Sequence, residues 1–420
     1  MAQGVLKYDF SKQWLVWRPP GGLGIGVVDL TSVAKKVECS VIAFCLMTSS
    51  VGNAGGACAD EAIKHVIVCS ESGKFCGWPA NCGLWSWGNE ILVGFAQSEY
   101  VPNDCGHSRG GRSVSLLARS VDGGRSWAVE DPENFVGDGG KVKDCAGGMD
   151  FTHPDFAMRV SGDKFFVSFD RGRNWEGPYR LPDFGLGQRL TARTDYIVNG
   201  PQNCMLFLST IEPRVEAALQ DRAFCARTTD GGGTFEFVSW MTNEPFTIRS
   251  VMPSTVRFSD SRLVSAMRRR LDVEISGPHK WRKCWIDVYE SNDNGRSWRF
   301  LSQVADTGNS NGNPPSLVRL SDAGLCVTYG YRGVCNRYRY RDQPQGIRAR
   351  LSADGGRTWG HEISLRDDAL TWDLGYTRSL QRPDGRIVTI YYYNTKERPQ
   401  QHIAATIWNP EKFKHKGGKK

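Results

Sequence analysis

One short phrase occurs five times in this chain and constrains its fold more than any other feature. The phrase runs Ser/Thr-x-Asp-x-Gly-x-Ser/Thr/Asn-Trp/Phe, and its copies are Ser120–Trp127, Ser168–Trp175, Thr228–Phe235, Ser291–Trp298 and Ser352–Trp359. An Asp side chain can accept hydrogen bonds from backbone N–H groups that follow it, and Gly supplies a positive φ. Each copy therefore predicts a hairpin turn whose aromatic residue packs on its own sheet.

The spacing of the copies predicts a propeller. The aspartates at 122, 170, 230, 293 and 354 lie 48 to 63 residues apart, which suits a four-stranded blade, typically roughly 40 to 50 residues, with generous loops. A fainter repeat marks six blade starts, each leading into an apolar strand. The starts are Gly77–Asn81, Asp150–Asp155, Arg193–Tyr196, Val251–Thr255, Gly312–Ser316 and Asp373–Arg378.

Six starts and five turns predict an all-β, six-bladed β-propeller closed into a ring. The sixth blade lacks the phrase because the chain runs out at Ile403–Trp408, and an N-terminal strand, His65–Ser70, would complete that blade. The alternative is a β-sandwich with unrelated Gly-rich turns. We expect residues 1–60 to be an extension, poorly ordered or packed on the rim, 61–410 to be the propeller and 411–420 to be a basic tail.

Composition narrows the classes of partner. The 420 residues carry a net charge of +8, much of it in the C-terminal lysines, while the arginines are scattered, which argues against nucleic acid. No apolar run is long enough to span a membrane, and no cleavable signal begins the chain. Thirteen cysteines without a Cys-x-x-Cys pair indicate neither zinc nor a full disulfide set, which mildly favours an intracellular location. We expect a monomer.

No metal or cofactor is predicted. The seven histidines are dispersed without the spacing of metal ligands. The Gly-Gly-Leu-Gly-Ile-Gly run at 21–26 resembles a dinucleotide loop but has no βαβ unit around it.

The repeated phrase resembles the Asp-box, or bacterial neuraminidase repeat, of the sialidase superfamily over about residues 65–410. The stretches after Gly312 and Asp373 are similar to proteins labelled sialidase-like. The resemblance implies a six-bladed propeller with its site where the blade starts converge. It also implies three arginines that hold a carboxylate, an acid for the leaving oxygen, and a tyrosine nucleophile activated by a glutamate.

Residues at the blade starts supply candidates for each of these roles. Tyr376 stands at the start of the last blade, where the family carries its nucleophile. Asp104 or His107 would be the acid or base, and Asp195 or Asp373 would replace the glutamate. The predicted substrate-binding residues are Arg193, Tyr196, Arg268, Asn313, Arg332, Asp373 and Arg378.

The first blade departs from the family pattern. It has Gly77-Trp78-Pro79-Ala80 where the family has Phe-Arg-Ile-Pro, so an arginine is missing there. Three hypotheses stay open. The first is a sialidase-like exo-glycosidase acting on an acidic oligosaccharide or glycoconjugate that carries sialic acid or uronate. The second is a uronate-specific lyase with His107 or Tyr196 as its base. The third is a noncatalytic propeller that binds glycan or protein.

Overall fold

The computed structural model describes residues 6–9, 14–17, 62–103, 106–132, 135, 140–187, 189–191, 193–211, 221–243, 248–274, 280–309, 311–333, 335–336, 339–340 and 344–414. The chain divides into two units, Met1–Asp60 with Val273–Trp281, and Glu61–Asp272 with Arg282–Lys420. In the first unit, β1 (Leu6–Asp9) and β2 (Trp14–Trp17) form an antiparallel hairpin.

The second unit is a six-bladed β-propeller built from antiparallel sheets. After β3 (Ile63–Cys69), blade one holds β4 (Lys74–Gly77), α1 (Pro79–Cys82), β5 (Leu84–Trp87), β6 (Glu90–Tyr100), β7 (Arg109–Ser120) and β8 (Ala128–Glu130). Blade two holds β9 (Ala157–Ser161), β10 (Lys164–Ser168) and β11 (Glu176–Arg180). Blade three holds β12 (Arg189–Leu190), β13 (Tyr196–Gly200), β14 (Asn203–Ile211), β15 (Asp221–Thr228) and β16 (Glu236–Trp240).

The remaining blades are four-stranded. Blade four holds β17 (Ile248–Arg257), β18 (Leu263–Glu274), β19 (Lys280–Ser291) and β20 (Arg299–Asp306). Blade five holds β21 (Ser316–Arg319), β22 (Leu325–Tyr331), β25 (Gly346–Ser352) and β26 (Ile363–Arg366), with a short hairpin of β23 (Cys335–Asn336) and β24 (Arg339–Tyr340). Blade six holds β27 (Gly375–Gln381), β28 (Ile387–Tyr393), β29 (His402–Trp408) and β3, and a 3-10 helix follows at Pro410–Phe413.

The predicted closure of the ring is confirmed. β3 pairs antiparallel with β29, from Trp408 opposite Ile63 to Ile403 opposite Cys69. The five phrases each connect the last two strands of a blade. In blade six those two strands come from opposite ends of the propeller sequence, so no turn joins them and no sixth phrase is needed. A closed ring of blades leaves only short, protected sheet edges.

Each repeated turn is held by its own side chains. In blade three, Asp230 accepts from the Thr234 N–H at 3.0 Å and from the Thr234 hydroxyl at 2.7 Å, and the Thr228 hydroxyl lies 2.8 Å from it. The hydrogen bonds from Thr234 lower the pKa of Asp230 to about 2. The turn glycine is also required by packing, because a Cβ at Gly172, where φ is +77°, would meet Leu92 of the preceding blade at 2.4 Å.

We expect Asp230→Ala to lower the free energy of unfolding by about 1 to 2 kcal/mol, since it removes several local hydrogen bonds at a partly exposed turn. Asp230→Asn keeps one acceptor and should lose less. The Asp230 contribution exists while the carboxylate is ionised, so it disappears as the pH falls from about 4 toward 2. Urea unfolding at pH 7 and pH 3 checks both points, and an alanine variant as stable as wild type at pH 7 would contradict them.

We expect His402, in blade six, to cause a further loss of stability in acid. Its side chain is buried, and burial lowers its pKa to about 4. Between pH 6.5 and 4 the unfolded chain binds a proton at this residue and the folded chain does not. Stability should therefore fall over that interval by up to about 3 kcal/mol. Unfolding measured across it should show a flatter pH dependence for His402→Asn, whereas identical slopes would refute the assignment.

Candidate active site

The first strands of blades one, four and six are interrupted. In blade one, α1 separates β4 from β5, and both strands pair with β6. The registers of β17 and β27 slip between Val251 and Ser254 and between Gly375 and Arg378. Trp78, Met252 and Tyr376 lie at these breaks with φ near +59°, +58° and +53°. Such left-handed conformations of non-glycine residues cost roughly 1 to 3 kcal/mol each and concentrate at functional sites.

The backbone around Tyr376 is held by Asn313. The Tyr376 N–H donates to Asn313 Oδ1 at 2.9 Å, and Asn313 Nδ2 donates to the Leu374 carbonyl at 3.3 Å. Asn313 is completely buried. Its amide contacts Gly375 so closely that a Cβ there would lie 2.2 Å from Oδ1. Asn313, predicted to bind substrate, thus uses its amide to position the tyrosine.

Three buried arginines surround the ring and hydroxyl of Tyr376. Arg268 Nη1 lies 3.4 Å from the tyrosine hydroxyl, and the Arg332 guanidinium lies 5.7 Å from the centre of the ring. Arg193 and Arg268 both contact Met252: Arg193 donates to its carbonyl, and Arg268 contacts its sulfur. The three arginines come from blades three, four and five, and the tyrosine comes from blade six.

These charges change the acidity of the tyrosine. Burial raises the pKa of Tyr376, but the positive charges of Arg268, Arg332 and Arg193 outweigh burial and lower it. Burial also lowers the pKa values of Arg193 and Arg268, and at Arg193 it outweighs the opposing effect of the Asp195 carboxylate. The cluster therefore favours a negative charge at its centre.

Each of the three arginines has one buried N–H group without a protein acceptor. These groups are Arg193 Nη2, Arg268 Nε and Arg332 Nη1. The other N–H groups donate to neutral partners, including the carbonyls of Ala80, Met252, Asn311 and Leu374. Buried cations are costly unless an anion compensates them. Three buried arginines around one tyrosine, each with an N–H group that has no acceptor among the described residues, are therefore suited to a carboxylate.

A histidine–aspartate pair adjoins this cluster. His107 Nδ1 lies 2.6 Å from Asp373 Oδ1, which also accepts from the Tyr392 hydroxyl at 2.7 Å. Arg332 Nη2 donates to the Tyr392 hydroxyl at 2.7 Å, so the hydrogen bonds run from His107 to the arginine cluster. The His107 side chain is 27% exposed and that of Asp373 is 3% exposed. The imidazole is held by a buried carboxylate while its other nitrogen remains available for proton transfer.

Aromatic rings enclose the imidazole. The rings of Trp78, Trp372 and Phe75 lie 5.1, 5.9 and 6.5 Å from that of His107. Arg332 also lies 5.2 Å from the Trp372 ring. These walls are apolar surfaces of the kind on which sugar rings stack, next to a charged centre.

The other predicted residues occupy supporting positions. Asp195 accepts from the Thr255 hydroxyl at 3.0 Å, and burial raises its pKa to about 7. Arg378 and Arg193 both donate to the Ala80 carbonyl of α1. The first blade, which lacks the family's arginine, thus contributes a carbonyl at this point. The Tyr196 hydroxyl accepts from the Met158 N–H at 3.2 Å. Asp104 lies outside the described residues.

A cavity of about 340 Å³ lies beside the arginine cluster and is lined by Arg193 of that cluster and by Trp78, whose ring contacts His107. Its wall also includes Arg159, Asp221 and Arg249, which the sequence reasoning did not select. A signal for Arg159 existed, because it is a lone charge in the buried strand Ala-Met-Arg-Val-Ser. Tyr392 gave no such signal, since it lies within a continuous apolar strand.

Neither a metal-binding group of residues nor a membrane-spanning helix is found in the described parts of the chain. No group of three or more His, Cys, Asp or Glu residues there could hold a metal ion. No helix found there is long and apolar enough to cross a membrane.

Comparison with known structures supports the fold. A Dyadobacter fermentans protein of unknown function matches with a TM-score of 0.58 and 18% identity, over 83% of this chain and 99% of that one. The fold is an all-β, six-bladed β-propeller. A Penicillium chrysogenum α-L-arabinanase, determined with arabinobiose, matches at 0.48 and 13% identity, over 77% of this chain and 90% of that one. Streptococcus pneumoniae NanB sialidase matches with a TM-score of 0.48 and 12% identity, over 79% of this chain and 68% of that one. No protein-family model and no curated protein matches.

Proposed function

We propose that the chain is a glycosidase that removes an acidic sugar, a sialic acid or a uronate, from an oligosaccharide or glycoconjugate. One observation carries the proposal: Arg193, Arg268 and Arg332, whose charges act on Tyr376, each have a buried N–H group without an acceptor among the described residues. A substrate carboxylate would supply the missing acceptors and the missing negative charge. The Asp-box-like turns and the place of Tyr376 in the last blade are consistent with this reading.

The residues would divide the chemistry as follows. Tyr376 attacks the anomeric carbon, and its phenolate is favoured by the arginines that lower its pKa. His107 protonates the leaving oxygen and later accepts a proton from the water that releases the sugar, while Asp373 orients the imidazole. Arg378 and Asn313 are positioning residues, since their side chains bind backbone carbonyl or N–H groups. The role predicted for Asp104 stays a prediction.

Elimination from a uronate is a second candidate, and one feature favours it. Within the described residues, the hydroxyl of Tyr376 has an arginine as its hydrogen-bond partner and no carboxylate. The Tyr376 hydroxyl therefore has arginine beside it in the place of a carboxylate base that could activate it as a nucleophile. In elimination, His107 or Tyr376 would remove the proton beside the carboxylate, the arginines would neutralise that carboxylate, and the leaving oxygen would depart as the double bond forms.

Product analysis distinguishes these proposals. The purified protein is incubated with sialosides and with uronate oligosaccharides. Released sugar is quantified beside ultraviolet absorbance, which rises only when elimination creates an unsaturated uronate. Saturated acidic sugar is the expected product. Absorbing product would favour the lyase. Binding of these glycans without cleavage would favour the noncatalytic propeller. The absence of both binding and cleavage would contradict an acidic-glycan site.

A further inference from the structure

The cavity beside the arginine cluster contains a second set of unpaired polar atoms. Arg159 is only 4% exposed, yet its Nε and Nη1 have no protein acceptor. Its remaining contacts are the face of Phe135, at 4.5 Å, and a 3.5 Å hydrogen bond from Nη2 to Ser115. A guanidinium buried in this way is expensive unless an anion is bound to it.

The charges around the cavity leave an excess of positive charge. Arg249 is neutralised by Asp221, whose Oδ2 accepts from its Nε at 2.7 Å. Within the described residues, Arg159 and Arg193 have no carboxylate hydrogen-bonded to them. Arg159 therefore has no counterion among the described residues, while the carboxylate of Asp195 is close enough to Arg193 to raise its pKa but is not hydrogen-bonded to it.

The same wall offers acceptors for hydroxyl groups. Asp221 Oδ1 and Asn81 Oδ1 are buried and have no protein donor. Donors for an oxyanion and acceptors for hydroxyls thus line one cavity, which is large enough for a single sugar ring with a substituent. Such a mixture fits a hydroxylated, negatively charged sugar better than it fits an apolar or a purely anionic ligand.

The cavity and the Tyr376 site share residues. Arg193 has one N–H group bonded to the Met252 carbonyl and another unpaired, and both it and Met252 line the cavity. Trp78, another lining residue, contacts the His107 ring. A glycan with its carboxylate at the Tyr376 arginines would therefore place its neighbouring groups against Arg159.

We propose that this cavity binds a second oxyanion of the same substrate, so that the substrate class is a uronate glycan carrying two negative charges close together. The second oxyanion is either a sulfate ester or the carboxylate of an adjacent uronate. The inference rests on the proposed function, because it takes the first carboxylate to lie at the Tyr376 cluster. It narrows that function, since a sugar with a single carboxylate would leave Arg159 uncompensated.

Calorimetric binding to full-length protein tests the proposal with three probes. These are an unsulfated chondroitin disaccharide, its O-sulfated counterpart and digalacturonate. The sulfated disaccharide or digalacturonate should bind at least about tenfold more tightly than the unsulfated one, and the tighter of the two identifies the second oxyanion. In Arg159→Met the ratio of these affinities should fall toward one. The preference should persist in the matched control Arg319→Met, which changes an exposed arginine outside this cavity.

Arg159→Lys is the control for misfolding, because it retains a positive charge in a side chain of similar length. It should keep part of the preference for the doubly charged probes. Equal binding of all three probes to wild type would overturn the second-oxyanion site and leave the acidic-glycan proposal standing. A preference that survives in Arg159→Met would also overturn it. If no probe binds wild type, a uronate substrate fails and this inference fails with it.

Discussion

Tyr376→Phe is expected to reduce kcat by at least about 10³-fold, the scale seen when a nucleophile is removed from a covalent mechanism. The variant loses only the hydroxyl, which accepts one 3.4 Å hydrogen bond from Arg268. The free energy of unfolding should therefore change by no more than about 1 kcal/mol. Steady-state rates on the cleaved substrate and urea unfolding of the same preparation measure both effects.

Tyr391→Phe is the matched control for this substitution. Tyr391 is equally buried in blade six, but its hydroxyl bonds to Thr406 on the strand beside it. Its loss should affect stability and leave kcat nearly unchanged. Full activity in Tyr376→Phe would exclude the nucleophile role. A loss of the same size in both variants would instead indicate a general effect on blade six.

His107→Ala is expected to reduce kcat by about 10² to 10³-fold, because general acid–base catalysis typically contributes that much. Its pH–rate profile should lose one limb, which a merely structural loss would not cause. Asp373→Asn should have a smaller effect on kcat, since it removes the negative charge 2.6 Å from the imidazole and keeps a side chain of the same shape. Rates measured between pH 4 and pH 9 report these changes.

A substrate with a good leaving group sharpens the test of His107. If His107 protonates the leaving oxygen, an activated aryl glycoside should restore much of the rate in His107→Ala. His153→Ala is the control, since His153 is a partly buried loop histidine of blade two whose Nδ1 accepts from the Asp155 N–H. An unchanged pH profile in His107→Ala would remove the histidine from the mechanism.

The fold could be predicted from the sequence because its signals are local. The Asp, Gly and aromatic residues of each turn satisfy one another within eight positions, so five copies establish both the hairpins and their period. The closing strand followed from a count of six starts and five turns. At the ring's closure, the structure adds to this prediction only the register in which β3 pairs with β29.

The site could be predicted only in part. Tyr376 and the three arginines were selected through their places at or after blade starts and the family resemblance, and the structure brings them together. The bond between His107 and Asp373 joins residues 266 positions apart, and no local pattern encodes it. The missing first-blade arginine suggested an incomplete clamp. The structure instead brings Arg193, Arg268 and Arg332 from three other blades and sets the Ala80 carbonyl of blade one against Arg193.

Binding of an acidic sugar as its free acid and as its methyl ester tests the proposed carboxylate site most directly. The ester keeps the ring and hydroxyl groups of the sugar and removes the negative charge. Titration of the Tyr376→Phe protein prevents turnover while leaving the three arginines in place. The free acid should bind at least about 100-fold more tightly than the ester, since charge-assisted hydrogen bonds to arginine are lost. Equal affinity for the acid and its ester would contradict the assignment of these arginines to a substrate carboxylate.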